Sequence, residues 1–125
     1  MKRKLIAAVA LFAVGGTALT AQPLATLKTD IGKVVVAAKN GMTLYTFRKD
    51  APNKSNCYND CAAAWPPFMA SGATKPSGQL GIITRKDNSR QWTRNGQPLY
   101  FWQGDAARGD VTGDGVGGVW DAVKN

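Results

Sequence analysis

Asp50 and Asp105 occupy equivalent places in two copies of one short motif, and paired carboxylates can share the acid and base roles of hydrolysis. That chemistry needs the two groups to converge on one site, and the sequence does not bring them together. Each aspartate instead ends a strand, where its carboxylate can accept backbone N–H groups two or three residues on and close a turn. Turn capping is therefore the expected role. A hydrolase built on Asp50 and Asp105 is the alternative, and no catalytic set is assigned.

A second constellation lies near the end of the chain. Asp110-x-Thr112-x-Asp114-Gly115, followed by Asp121, has the oxygen-ligand spacing of a calcium loop. Position 12 of that loop is Asp where a bidentate Glu is usual, position 8 is Gly where an apolar residue anchors the loop, and no helical segment leads in. The expected structure is a glycine-rich turn whose aspartates bond the backbone, with calcium binding by Asp110, Thr112, Asp114 and Asp121 as the weaker alternative. Cys57 and Cys61 are expected to pair as a disulfide, contributing roughly 2 kcal/mol by closing a very short loop. Redox chemistry would want a two-residue spacer, and structural zinc would want four ligands in a chain that has no His. No cofactor is expected. The Gly-rich segment lacks the Lys-Ser/Thr ending of a phosphate loop. Arg90, Trp92 and Arg94 could stack on nucleobases, but in an exported chain those aromatics are assigned to packing and no nucleic-acid partner is expected.

The elements that must position these residues come in duplicate. Asn40-Gly41, Leu44-Tyr45, Asp50-Ala51 and Trp65 recur 55 residues later as Asn95-Gly96, Leu99-Tyr100, Asp105-Ala106 and Trp120. Two copies of so small a unit imply one domain, since neither copy can bury its own apolar face. Asn-Gly between apolar runs predicts β-hairpins over 33–47 and 89–102. Within them Tyr45 and Phe47 share one face, as do Tyr100 and Trp102, while Leu44, Leu99 and Phe101 face the other way. Residues 58–64 can form one or two helical turns, stopped by Pro66-Pro67. Leu80 to Thr84 reads as another strand, 69–79 as a connector and 22–32 as a lead-in. The predicted fold is mostly β: a small single domain over 33–125, made of two pseudo-symmetric hairpin repeats at about 33–68 and 88–123, with a short helical turn after the Cys pair. Tyr45, Phe47, Trp65, Tyr100, Trp102 and Trp120 are its expected aromatic core.

Composition sets the address. Met1-Lys2-Arg3-Lys4, the apolar run from Leu5 to Val14 and the small residues up to Ala21 have the layout of an export signal over 1–21, cut after Ala21 or Ala18. A spanning anchor would want about 18 or more apolar residues. No Cys follows the run, so no lipid-attachment box is present and no stable membrane anchor is expected after cleavage. The mature chain keeps 13 Lys/Arg against eight Asp, with no Glu. That charge would favour an anionic envelope component by a salt-sensitive attraction, but the basic residues are dispersed and solubility is sufficient reason for them. Another envelope protein is the other partner considered. The expected localisation is periplasmic or secreted.

Tyr45-Thr46-Phe47-Arg48-Lys49-Asp50 and Tyr100-Phe101-Trp102-Gln103-Gly104-Asp105 both fit Y-x-[FWY]-x-x-D. Cys57 and Cys61 with Ala62 and Trp65-Pro66-Pro67 fit C-x3-C-A-x-x-W-P-P, and Gln91-Trp92, Pro98-Leu99-Tyr100 and Gly117-Gly118-x-Trp120 follow in order. Over 33–123 the chain thus resembles the bacterial secreted-repeat, or predicted lipoprotein, family that carries this motif. Many members of that family carry a lipid-attachment Cys, which this chain lacks. The resemblance implies an exported β-rich repeat protein and no established active site. The function expected from the whole sequence is a non-enzymatic binding or envelope accessory module.

Overall fold

The computed structural model describes residues 22–72 and 74–125, so the export signal expected over 1–21 lies outside the described residues. The strands are β1 (Leu24–Thr29), β2 (Gly32–Ala37), β3 (Tyr45–Phe47), β4 (Leu80–Thr84), β5 (Arg90–Arg94), β6 (Gln97–Pro98) and β7 (Trp120–Ala122). Among the described residues one α-helix, α1 (Asp60–Ala64), begins at the Cys57–Cys61 disulfide, and a 3-10 turn at Val116–Gly118 precedes β7. The chain is mostly β, in small antiparallel sheets ordered β1-β2, β3-β7 and β4-β5-β6.

The duplication is visible atom by atom. Val123 N–H donates to Leu44 O at 2.9 Å, and Phe68 N–H donates to Leu99 O at the same 2.9 Å. Arg48 N–H donates to Val119 O at 2.8 Å, as Gln103 N–H does to Ala64 O at 2.9 Å. On the axis between the copies, Tyr45 and Tyr100 exchange both backbone hydrogen bonds, at 2.8 and 3.0 Å. Each copy therefore completes its pairing with strands of the other. β3 of the first copy pairs with β7 of the second, Tyr45 facing Ala122 and Phe47 facing Trp120. The matching bridge runs from Tyr100 to Pro67.

The structure differs from the sequence expectation at the lead-in and at both hairpins. The second hairpin, expected over 89–102, pairs within its own copy only as far as Leu99 before Tyr100 turns to Tyr45 and Pro67. Leu24–Thr29, expected as a lead-in, forms β1 and pairs along its whole length with β2, Leu24 opposite Ala37 and Thr29 opposite Gly32. The expected hairpin over 33–47 is correspondingly short: Val36 bridges Thr43 and Leu44 N–H reaches Val35 O, after which the chain leaves as β3 for its partner in the other copy. The two Asn-Gly turns also differ. Asn95 and Gly96 both take positive φ (53° and 81°), the geometry a two-residue hairpin turn demands. At the first turn only Gly41 is positive, and its N–H closes a wider loop onto Ala37 O at 2.7 Å.

Strand alternation divides the interior into two clusters. Val34 and Val36 of β2 join Tyr45, Tyr100, Trp65 and Trp120 on one side. Val35 and Ala37 of the same strand join Leu44, Leu99, Phe68 and Trp92 on the other. β2 is thus buried on both faces, and so is the segment Leu99–Tyr100, which sends one side chain into each cluster.

Candidate functional site

The six expected core aromatics form one layered stack. Phe47 lies on Trp120 (centroids 4.2 Å apart, planes 13° apart), Trp120 on Trp65 (3.8 Å, 3°) and Trp65 on Trp102 (4.1 Å, 31°). Tyr45 meets Trp65 edge-on at 5.3 Å, and Tyr100 meets Trp120 edge-on at 5.2 Å. Along the stack the rings alternate between first and second copy, so neither copy holds its own tryptophan without the other. Gly113 is the contact that closes this stack: a Cβ there would lie 2.9 Å from atoms of Trp102, Trp65 and Tyr45 alike.

The motif aspartates bind the tyrosines crosswise. Tyr45 OH donates to Asp105 Oδ2 at 2.7 Å, and Tyr100 OH donates to Asp50 Oδ2 at 2.7 Å. The second oxygen of each carboxylate accepts a backbone N–H, from Asn56 at 2.7 Å for Asp50 and from Thr112 at 3.0 Å for Asp105. These N–H groups lie six and seven residues on, farther than the two or three expected for a turn cap. Both aspartates therefore fix a long loop and anchor the opposite copy at once. Burial, reinforced by the neighbouring carboxylate, raises the pKa of both phenols well above the ordinary tyrosine range, so the hydroxyls stay protonated and donate.

A network that the sequence does not announce surrounds one of the two pairs. Arg85, only 4 % exposed, donates from Nη1 to Ser55 Oγ (3.0 Å) and Gln91 Oε1 (2.7 Å), and from Nη2 to Cys57 O (2.7 Å). Its guanidinium also lies 4.3 Å from the centre of the Tyr58 ring. Ser55 Oγ sits 2.6 Å from Tyr100 OH, so Asp50, Tyr100, Ser55, Arg85 and Gln91 are joined in one buried chain. The other copy has no such cation at its tyrosine; there the Gly113 N–H donates to Tyr45 OH at 3.2 Å. Arg85 follows directly on the apolar strand β4, and nothing in local spacing marks it as interior.

Burial raises the Asp50 carboxyl above the ordinary carboxylate range, while the Asn56 N–H, the Tyr100 hydroxyl and the Arg85 charge pull it partly back. The folded state then keeps this proton to higher pH than the unfolded chain, whose value is about 3.9. Asp50 thus contributes stability fully below that unfolded value, and the contribution is lost as pH rises through the raised one. Asp121, lowered by Arg48, has the opposite sign: its contribution is present above the unfolded value and fades as pH falls through the folded one. The stability of wild type minus that of Asp50→Asn, from urea midpoints between about pH 3 and 7, should fall with rising pH. A difference that stays flat or rises would show that Asp50 is not desolvated.

The calcium spacing does not become a ligand cage. Asp110 Oδ2 accepts the N–H groups of Ala106 (2.8 Å) and Ala107 (3.0 Å), and Asp114 Oδ1 accepts that of Ala122 (2.9 Å). Asp121 holds Arg48 in a two-pronged pair at 2.8 Å for each oxygen. Thr112 turns its hydroxyl to Asp105 Oδ1 at 2.7 Å. The loop aspartates bond the backbone and an arginine, and among the described residues no three His, Cys, Asp or Glu side chains gather as metal ligands.

A family model described as a secreted repeat of unknown function matches residues 25–69 and 81–124. The chain belongs to that family. The two matched segments are the two copies of the fold, and the first starts within β1, the strand the sequence reading left outside the domain. No curated protein and no solved structure matches the chain. The family's description as secreted agrees with a location outside the cytoplasm.

Proposed function

We propose that this secreted repeat protein is a non-enzymatic binding module of the bacterial envelope, periplasmic or secreted. The observation that carries this reading is the crosswise bonding of Asp50 and Asp105. Each carboxylate has one oxygen on a buried tyrosine and the other on a backbone N–H, an arrangement suited to holding two copies together. A general base needs an accessible lone pair within reach of its substrate proton, and Asp50 already has two and Asp105 three of about four acceptor sites engaged in holding the copies. The stack points to the same role, since Tyr45 and Tyr100 are buried and Phe47 and Trp102 are half-buried against the tryptophans, all spent on cohesion. Ligand contact then falls to surfaces away from the motif.

The test uses the exported protein after signal removal, with separated envelope fractions (lipid extract, polysaccharide and periplasmic small molecules). At least one fraction should raise the melting temperature, through preferential binding to the native state, and be recovered chemically unchanged. Conversion of a fraction that disappears in the Asp50→Asn variant would establish the hydrolase instead.

A further inference from the structure

Against the second cluster, a groove of about 800 Å³ opens between the start of β1, the turn after β2 and the connector that follows Met69. That volume lies in the range of small-molecule sites. One side of the groove is apolar, lined by Phe68, Met69, Leu80 and Trp92, while Gln22, Ser71, Thr74 and Ser77 make a polar rim; Met69 is 44 % exposed, the one large hydrophobic side chain so open among the described residues. Phe68 and Trp92 are otherwise buried in the second cluster, so the floor is part of the core. The charged side chains at the groove are Lys39 and Lys75, and among its described lining residues there is no acid. Lys39 Nζ stands 5.8 Å from the centre of the Phe68 ring, which holds the ammonium against the apolar floor. Among the described residues neither lysine has a carboxylate within salt-bridge distance.

We propose that this groove binds a soluble single-chain amphipathic carboxylate, its hydrocarbon tail along Phe68, Met69, Leu80 and Trp92 and its anionic head between Lys39 and Lys75. The proposal rests on the reading of the protein as a binding module and gives that module its ligand class. An apolar wall alone would accept any hydrocarbon. Two cations with no facing acid select the sign of the head group, since an anion there gains two attractions and a cation would meet like charge on a partly desolvated surface. Lysine suits this role, being a compact charge on a flexible stem that can close over a head group.

Calorimetry and tryptophan fluorescence with decanoate, butyrate, decan-1-ol and decyltrimethylammonium, each below its micelle concentration or solubility limit, test it on the exported protein. Decanoate should bind tightest, with affinity rising roughly four-fold per methylene from butyrate upward. Its preference over decan-1-ol should be about ten-fold and should vanish in the Lys39→Gln/Lys75→Gln variant, as two partly exposed charge pairs imply. Met69→Glu, a change at an exposed side chain that leaves folding intact, should remove decanoate binding. Equal binding of decanoate and decan-1-ol overturns the charge selection and leaves the binding module standing. Decanoate no tighter than butyrate overturns the groove as its site. Sedimentation with anionic phospholipid vesicles that free decanoate does not displace overturns the single-chain ligand in favour of a membrane surface.

Discussion

Trp65→Ala and Trp120→Ala are each expected to destabilise the protein by about 3–5 kcal/mol, a large share of the stability of a domain of this size. Both indoles are 4 % exposed, and each is sandwiched between two rings while a tyrosine meets it edge-on. Removing one therefore forfeits three aromatic contacts and opens a cavity at the axis that relates the copies. The two losses should be similar in size, because the surroundings are nearly the same by pseudo-symmetry. The double variant should lose less than the sum, since each single change already destroys the 3.8 Å stack between them. Gly113→Val should cost several kcal/mol by wedging Trp102, Trp65 and Tyr45 apart, with no aromatic residue changed. Urea unfolding of the four variants decides it. A cost under about 1 kcal/mol for either tryptophan would show that the stack does not join the copies.

Strand alternation and the 55-residue repeat made the composition of this stack legible before any coordinates. Tyr45 and Phe47 had to share a face, and so had Tyr100 and Trp102, because a strand's side chains have a period of two. The alternating order of the rings was not legible. It follows from β3 pairing with β7 across the copies, and a hairpin signal such as Asn40-Gly41 speaks only for neighbours in the chain. For the same reason both hairpins were drawn too long: their second arms pair with their own copies only as far as Leu44 and Leu99, then cross to the other copy. Leu80–Thr84 and the helical turn at Asp60–Ala64 came out where local pattern put them, because an apolar run with punctuated ends and a proline stop are local facts. β1 was missed because Leu24–Thr29 alternates only weakly and carries Lys28 and three small or polar neighbours; its pairing depends on β2 being present.

The candidate site divides along the same line. Asp50 and Asp105 could be placed at the ends of equivalent strands, and their carboxylates do accept backbone N–H groups. Their second partners, the tyrosines of the opposite copies, are 50 and 60 residues away in sequence and become neighbours only through the pseudo-dyad. The calcium-like spacing of Asp110, Thr112, Asp114 and Asp121 is a local pattern with a tertiary explanation. Gly113 must be glycine to touch three rings, Asp110 and Asp114 tie the glycine-rich loop to its own turn and to β7, and Asp121 ties β7 to Arg48.

Arg85 is where the two copies cease to be equivalent, and its removal is expected to rank with loss of a central tryptophan. Arg85→Met keeps the bulk of the side chain but strips hydrogen bonds from Gln91 Oε1, Cys57 O and Ser55 Oγ, all in the interior. Stranding those acceptors should cost about 3–5 kcal/mol, as breaking a buried charged contact does. Arg85→Lys should recover only part of this, because one ammonium on a flexible stem cannot reproduce the guanidinium's fixed fork or its packing on Tyr58. The network makes a second, independent demand. The Arg85 charge holds the Asp50 carboxyl lower than burial alone would, so Arg85→Met should raise the pH range over which Asp50 loses its proton. The stability difference against Asp50→Asn, remeasured in that background, should then fall at higher pH than in the wild-type background. Adding Gln91→Leu to Arg85→Met should restore some stability, since it removes one stranded acceptor, although it also frees the Leu99 carbonyl that Gln91 Nε2 reaches at 2.7 Å. An Arg85→Met protein as stable as wild type, with the Asp50 titration unmoved, would mean that the guanidinium merely fills space and that Tyr100 and Ser55 hold Asp50 without it.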